Sequence, residues 1–251
     1  MTYKNNAFTL AEVLITLGII GIVAAITLPT LNQNRQDKEL IAQTKKVYAD
    51  INNAILLSQK DYGVIGDNSF LFNDRDDAAT VAQNLLKYFN GAKLCKKASQ
   101  NGCQQYYYDI KYATKRVDSN GMGATDNSTN DPKIIFSNGA ILKIRTNKSA
   151  CEAKEYTETV KDQYGRPIQN PDGSNQTKTY ISEVCANLSF DVNGTKGPNQ
   201  FGRDVYWFWV YRNKLKYGNS SYLGGKSFEN ILTGVDKLEY EIYSKGQSFE
   251  F

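Results

Sequence analysis

The chain opens with a short polar segment, and a long run of apolar residues follows it. From Phe8 to Leu28 the only charged side chain is that of Glu12. As an α-helix this run would span roughly 31 Å, which matches the hydrocarbon core of one bilayer. Pro29 follows where the helix would leave the hydrocarbon. The pattern predicts a transmembrane helix over 8–29.

A second pattern begins after Pro29, where apolar positions recur at spacings of three and four residues. This spacing places them on one face of a helix and leaves polar side chains on the other. The predicted amphipathic helix covers 30–60 and ends before Asp61-Tyr62-Gly63. The positions of its apolar stripe are Leu40, Ile41, Thr44, Val47, Tyr48, Ile51 and Ile55. Both halves together predict one helical spine from Phe8 to about Lys60.

Residues 61–251 predict a globular head of mixed helix and strand. A short helix is expected over Asp77–Asn90, and Asn138-Gly139 predicts a tight turn between two β-branched runs. The expected strands are Gln104–Tyr112, Lys133–Phe136, Ala140–Ile144, Tyr180–Phe190, Val205–Tyr211 and Leu238–Tyr243. A polar excursion is expected over Tyr156–Lys178 and a short helix over Ser227–Leu232. The predicted fold class is α+β, with a mostly antiparallel sheet of about four strands packed on the second half of the spine helix.

Composition narrows the chemistry that the chain could perform. It has 251 residues, 30 basic and 26 acidic side chains, a net charge of +4 and no histidine. The absence of histidine excludes Ser-His-Asp triads, Cys-His pairs and ordinary zinc sites. The basic residues form no clustered run, so there is no clear nucleic-acid signal. No activated nucleophile, carboxylate pair or phosphate loop stands out, and we expect that the protein is not an enzyme.

Four cysteines follow the apolar segment: Cys95, Cys103, Cys151 and Cys185. No Cys-x-x-Cys pair is present, which disfavours metal ligation. An even count behind a membrane-targeting helix indicates two disulfides outside the cytoplasm. Of the three possible pairings we prefer Cys95–Cys103 with Cys151–Cys185, because each then closes a local loop. Reduced, buried cysteines are the alternative.

The N-terminal run has three interpretations: a plain anchor, a secretory signal peptide or a processed export signal. Val23-Ala24-Ala25 could serve as a signal-peptidase site. The apolar run continues past that site to Leu28, however, and Glu12 falls where the apolar core of a signal peptide should begin. A carboxylate in lipid costs about 2.5–3.5 kcal/mol and usually marks function. A plain anchor explains the length of the run but not Glu12.

Phe8-Thr9-Leu10-Ala11-Glu12-Val13-Leu14 resembles the N-terminal methylation motif of type IV pilins and type II secretion pseudopilins. The resemblance implies a leader over 1–7, which a prepilin peptidase removes by cutting between Ala7 and Phe8 before it methylates the new amine. Ala7 departs from the glycine that is usual in the family. The implied role of Glu12 is to pair with the Phe8 amine of a neighbouring subunit during assembly.

The resemblance also implies partners, location and function. It predicts a single-pass protein of the bacterial inner membrane, with its head in the periplasm or at the cell surface, that assembles with other pilin or pseudopilin subunits into a filament. The leading hypothesis is a structural subunit of a type IV pilus or a type II secretion pseudopilus, and the length of the chain favours a minor one. The alternatives are a minor pilin whose head binds a ligand or DNA, and a secreted protein released after Ala25.

One loop has the composition of an ion site. Between two predicted strands, oxygen-bearing side chains stand on a glycine-rich connection: Asp191, Asn193, Asn199 and Asp204. Carboxylate and amide oxygens on such a loop suit Ca²⁺. The start resembles an EF-hand loop, but Gly202 stands where a bidentate Glu is needed. The alternative is a connection whose side chains cap its own backbone.

Overall fold

A computed structural model of the chain describes residues 9–115, 117–118, 121–122, 130–147, 151–162 and 165–243. The chain divides into two compact units, Met1–Glu39 and Leu40–Phe251. A long apolar helix is followed by an antiparallel β-sheet head, so the fold class is α+β, as predicted.

Helix α1 covers Leu10–Tyr62 and continues through Pro29. In the first unit its large apolar side chains are exposed, from 41% at Val13 to 80% at Leu10. By length and composition it is the one helix of the described residues that could cross a membrane. A signal sequence near an N-terminus would meet the same criteria.

The part of α1 in the second unit carries the predicted apolar stripe. Leu40, Ile41, Val47, Ile51 and Ile55 are all less than 9% exposed. They join the main hydrophobic cluster of the head, with residues of the sheet and of the two shorter helices. Burying a side chain of this size contributes about 1.5–3 kcal/mol. The amphipathic pattern is therefore confirmed.

The shorter helices are α2, Ala78–Leu86, and α3, Ser227–Leu232. Asp77 caps α2, since its Oδ1 accepts a hydrogen bond from the Thr80 N–H at 2.7 Å. The prediction that α2 reaches Asn90 is wrong. Tyr88 and Phe89 donate to carbonyls three residues back, which tightens the last turn out of α-helical geometry.

The main sheet is fully antiparallel and has six strands in the order β1-β4-β5-β8-β9-β10, which is two more than predicted. Its strands are β1 (Lys93–Cys95), β4 (Lys133–Ile135), β5 (Ile141–Thr146), β8 (Val184–Asp191), β9 (Val205–Tyr211) and β10 (Leu215–Tyr217). Two separate hairpins are β2 (Val117–Asp118) with β3 (Gly121–Met122), and β6 (Lys154–Thr159) with β7 (Thr177–Ser182).

The turn between β4 and β5 is the one that the sequence predicted. Phe136 donates its N–H to the carbonyl of Ala140, and Gly139 adopts a φ of 91°. Glycine suits this position because other residues are strained at positive φ.

The two faces of the main sheet are covered differently. One face packs on α1, α2 and α3, with Phe228 of α3 in ring contact with Tyr48, Phe190, Tyr206, Phe208 and Tyr217. The opposite face carries two smaller clusters, one around Cys95 and Tyr107 and one around Phe201 and Trp207.

Two predicted strands are absent from the described residues. Gln104–Tyr106 is a 3₁₀ turn that follows the bridged Cys103, and Tyr107 and Tyr108 direct their hydroxyls to other segments instead of joining a ladder. Residues 238–243 form no strand either. Glu241 donates to a single backbone carbonyl, that of Ala113, and its own carbonyl accepts from a glutamine side chain.

The region around the predicted polar excursion is also different. Tyr156–Lys178 belongs largely to the β6–β7 hairpin, and the predicted strand Tyr180–Phe190 is divided after Ser182. The chain leaves one sheet there and enters another, because β7 pairs with β6 while β8 pairs with β5 and β9.

Candidate functional site

The start of α1 is built as a capping box. The N–H of Glu12 donates to Thr9 Oγ1 at 3.2 Å, and the N–H of Thr9 donates back to Glu12 Oε2 at 2.9 Å. Thr9 Oγ1 also lies 2.9 Å from the same carboxylate oxygen. A Thr and a Glu three residues apart form this arrangement because each satisfies an otherwise unpaired N–H at the helix start. Both bonds to the carboxylate end on Oε2, so Oε1 can accept from a further partner.

Two of the predicted assembly and processing residues, Ala7 and Phe8, lie outside the described residues. Glu12 is described and stands in the first turn of α1. The capping role of Thr9 was not predicted, although the spacing Thr-x-x-Glu is a recognisable signature of a helix start.

Both disulfides form in the preferred pairing, Cys95 with Cys103 and Cys151 with Cys185. All four sulfurs are buried in the head. Cys185 lies in β8 and Cys151 precedes β6, so the second bridge closes the neck of the segment that carries the β6–β7 hairpin. None of the described cysteines is free.

The predicted ion-site residues all lie on the connection from β8 to β9. Asp191 ends β8, and Asp204 directly precedes β9. Gly194 lies against the β4–β5 turn so closely that a Cβ there would come within 2.2 Å of the carbonyl oxygen of Gly139. Because this contact fixes the loop against the sheet, both carboxylates are buried, at 4% and 0% exposure.

All four predicted ligands hydrogen-bond the backbone of their own loop. Asp191 Oδ1 accepts from the N–H groups of Asn193 and Gly194, at 3.1 and 2.7 Å. Asp204 accepts from Gln200 on Oδ1 at 2.7 Å and from Asn199 on Oδ2 at 2.8 Å. This is the arrangement of a connection that caps itself.

The side-chain amides of the loop do not form one ligand set. Asn199 Oδ1 accepts from the N–H of Gly197 at 3.1 Å. Asn193 donates through Nδ2 to the carbonyl of Gly197 at 2.7 Å, while its Oδ1 is buried and has no hydrogen-bond partner. Among the described residues, no group of three or more His, Cys, Asp or Glu side chains is arranged to hold a metal ion.

The electrostatics of the two carboxylates are unusual. Burial, and secondly the nearby Asp204 carboxylate, raise the pKa of Asp191 well above its ordinary value. Burial raises the pKa of Asp204 to about 6, although the N–H groups of Gln200 and Asn199 act in the opposite direction. In the folded head, the carboxyls of Asp191 and Asp204 therefore tend to bind a proton or another positive charge.

Comparison with known proteins identifies the N-terminal segment. Residues 2–28 match the family model described as the prokaryotic N-terminal methylation motif. This motif is the signature of type IV pilins and pseudopilins, and it covers most of the predicted leader and of the apolar run. No curated protein and no solved structure matches the chain. The chain thus carries the N-terminal motif of type IV pilins and pseudopilins, and the match does not extend to the head.

Proposed function

We propose that the protein is a structural subunit of a type IV pilus or a type II secretion pseudopilus, without enzymatic activity. The observation that carries this proposal is the overlap of the methylation motif with the exposed apolar part of α1. Side chains such as Ile15, Ile19 and Ile26, each more than half exposed, need a membrane or neighbouring helices to cover them. The membrane covers this segment before assembly, and the helices of other subunits cover it afterwards.

Processing is the first step of the proposed pathway. A prepilin peptidase on the cytoplasmic side cuts between Ala7 and Phe8 and methylates the new amine. The head then stands outside the cytoplasm, an oxidising location in which the two disulfides persist.

Glu12 guides the next step. Its carboxylate meets the Phe8 amine of a neighbouring subunit, which lowers the cost of holding the charge in an apolar environment. Since the capping bonds use Oε2, Oε1 faces the incoming cation in this proposal.

Intact mass tests the proposal. The protein is purified from the membranes of a bacterium that contains a prepilin peptidase, and the expected mature chain begins at Phe8 with one added methyl group. Ala7→Gly should be cleaved at least as completely as the wild type, whereas a bulky Ala7→Leu should accumulate as precursor. A mature chain that begins at Ile26 would instead identify a secreted protein and overturn the proposal.

A further inference from the structure

A groove separates the β6–β7 hairpin from the main sheet. Its inner part, near the hairpin base, is a cavity of about 490 Å³. Its lining includes Arg145, Asn147, Tyr156, Tyr180, Asn187 and Trp209. Nothing in the methylation motif concerns this region, since the motif ends at residue 28.

The floor of the inner cavity is a row of side chains on the sheet face opposite α1. Strand register places Arg145 of β5 opposite Asn187 of β8, and Asn187 opposite Trp209 of β9. Partners in antiparallel register point to the same face. Adjacent strands are about 4.8 Å apart, so the row extends roughly 10 Å across the sheet. Across the sheet, the row consists of the Arg145 guanidinium, the Asn187 amide and the Trp209 indole.

The wall of the inner cavity is one face of the hairpin. Tyr156 and Tyr180 are register partners whose rings stack at a centroid distance of 6.0 Å. Asn147 Nδ2 lies 3.0 Å from the Tyr156 hydroxyl, which holds the amide at the rim. Tyr180 remains 42% exposed.

The same hairpin face continues into a second, outer cavity of about 660 Å³. Residues alternate between the two faces of a strand, so Glu158 and Lys178 share the face of Tyr156 and Tyr180. Both line the outer cavity, together with Tyr222 and hydroxyl side chains that include Ser220 and Ser221. The two cavities therefore follow one another along the hairpin and suit an elongated ligand.

Two cations of the groove, Arg145 and Lys178, are paired with carboxylates. Arg145 donates through Nε and Nη2 to Asp131 Oδ2, at 2.9 and 2.6 Å. Lys178 pairs with Glu158 at 2.9 Å. A nucleic acid is bound mainly by cations that neutralise its phosphates. Cations already paired with carboxylates disfavour that class of ligand, and they favour one that is uncharged and polar.

We propose that this groove binds a linear, uncharged oligosaccharide. The faces of Trp209 and Tyr180 pack against the C–H faces of sugar rings, as aromatic side chains do with other apolar surfaces. The amide of Asn187, which can both donate and accept, hydrogen-bonds the ring hydroxyls. The ion pair with Asp131 positions the Arg145 guanidinium so that it also hydrogen-bonds the ring hydroxyls.

Titration of the full chain with sugar oligomers tests the proposal. The protein is kept in a detergent without a sugar headgroup and titrated with chitohexaose and cellohexaose, and binding is followed by calorimetry and by tryptophan fluorescence. At least one hexasaccharide should bind and change the emission, since Trp209 lines the groove. An oligothymidylate and an oligogalacturonate, both anionic, should bind more weakly.

Two groove variants and one matched control make the result specific. Tyr180→Ala and Asn187→Ala should each weaken the binding about tenfold. Ile181→Ala alters the next residue along the hairpin, which points to the opposite face and is 70% exposed, and it should bind like the wild type.

Three results would overturn the proposal: no saccharide binding at millimolar ligand, tighter binding of the oligothymidylate, or an equal loss of binding in Ile181→Ala. The measurement does not depend on assembly, so its failure would leave the proposed filament role untouched.

Discussion

Tyr108 donates its hydroxyl hydrogen to Asp191 Oδ2 at 2.8 Å, across a separation of 83 residues. This bond joins the irregular segment after the first disulfide to the end of β8, and it lies beside the buried Asp204. Burial raises the pKa of Tyr108, and the charge of Asp191 raises it further. The protonation states of Tyr108, Asp191 and Asp204 are therefore coupled to one another.

The first prediction is that the head becomes less stable as the pH rises from about 4.5 to about 7.5. Both carboxyls have a raised pKa in the fold, so the folded state keeps protons that the unfolded chain releases near pH 4. The stabilising effect of the two protonated carboxyls is complete below about pH 4, and the contribution of Asp204 is lost as the pH passes through about 6. Asp204 alone should contribute roughly 2–3 kcal/mol to this loss, measured as thermal unfolding followed by circular dichroism.

Asp191→Asn is the control for this pH dependence. Its Oδ1 can still accept from Asn193 and Gly194, while its amide can donate to the Tyr108 oxygen. Because burial still raises the pKa of Asp204 in this variant, its unfolding temperature should fall less than that of the wild type between the two pH values, and at about pH 7.5 it should be higher than that of the wild type. An unchanged slope would assign the pH dependence to other groups.

The second prediction concerns calcium at the same loop, which we retain as a proposal. A divalent cation would compensate the two buried carboxylates and occupy the unpartnered Asn193 Oδ1. Millimolar calcium should then raise the unfolding temperature at about pH 7.5 but not at about pH 5, where the carboxyls retain protons. Magnesium serves as the comparison. No shift with calcium at either pH would end the proposal.

The third prediction separates the two roles of Glu12. Glu12→Gln keeps an oxygen that can accept from the Thr9 N–H but removes the charge. Thr9→Ala keeps the charge but breaks the cap, at a cost of about 1 kcal/mol to the helix start. In cells with the other subunits present, Glu12→Gln should be absent from sheared filaments, although its membrane level is normal.

Thr9→Ala should still enter filaments in that experiment. If instead Thr9→Ala fails and Glu12→Gln assembles, the carboxylate acts through the helix cap and not through a neighbouring amine.

The fourth prediction tests the aromatic centre of the head. Phe228 is 3% exposed and packs among five aromatic rings, so Phe228→Ala should destabilise the head by about 3–5 kcal/mol. Chemical denaturation measures the effect. Val235→Ala, which removes an apolar side chain that is 63% exposed, should change stability by less than about 0.5 kcal/mol. A similar loss in both variants would show that Phe228 does not anchor the core.

The elements with strong, local patterns were predictable from the sequence. Val205–Tyr211 and Ser227–Leu232 are observed with the predicted bounds, because dense aromatic and apolar positions leave few alternatives. The β6–β7 hairpin was not predicted, since its strands are polar on both faces and bury almost nothing. The alternation of apolar and polar residues cannot identify a strand in which neither face is buried.

The groove was not predictable either. Its floor joins Arg145, Asn187 and Trp209, which become neighbours only through the order of strands β5, β8 and β9. The N-terminal residues differ in this respect, because Thr9 and Glu12 interact within one helical turn. Local chemistry can be derived from sequence spacing, whereas the groove depends on topology.

The position of the Cys151–Cys185 bridge has a mechanical consequence. The hairpin emerges between β5 and β8, two strands that lie side by side inside the sheet with further strands beyond each of them. A force that pulls on the hairpin is transmitted to the head at the Cys151–Cys185 bridge. It acts along the length of both β5 and β8. Such a load shears whole ladders of hydrogen bonds at once, whereas traction on an edge strand such as β10 would open its ladder one bond at a time. The bridge therefore directs such a load into two central strands of the sheet, at the end where the groove lies.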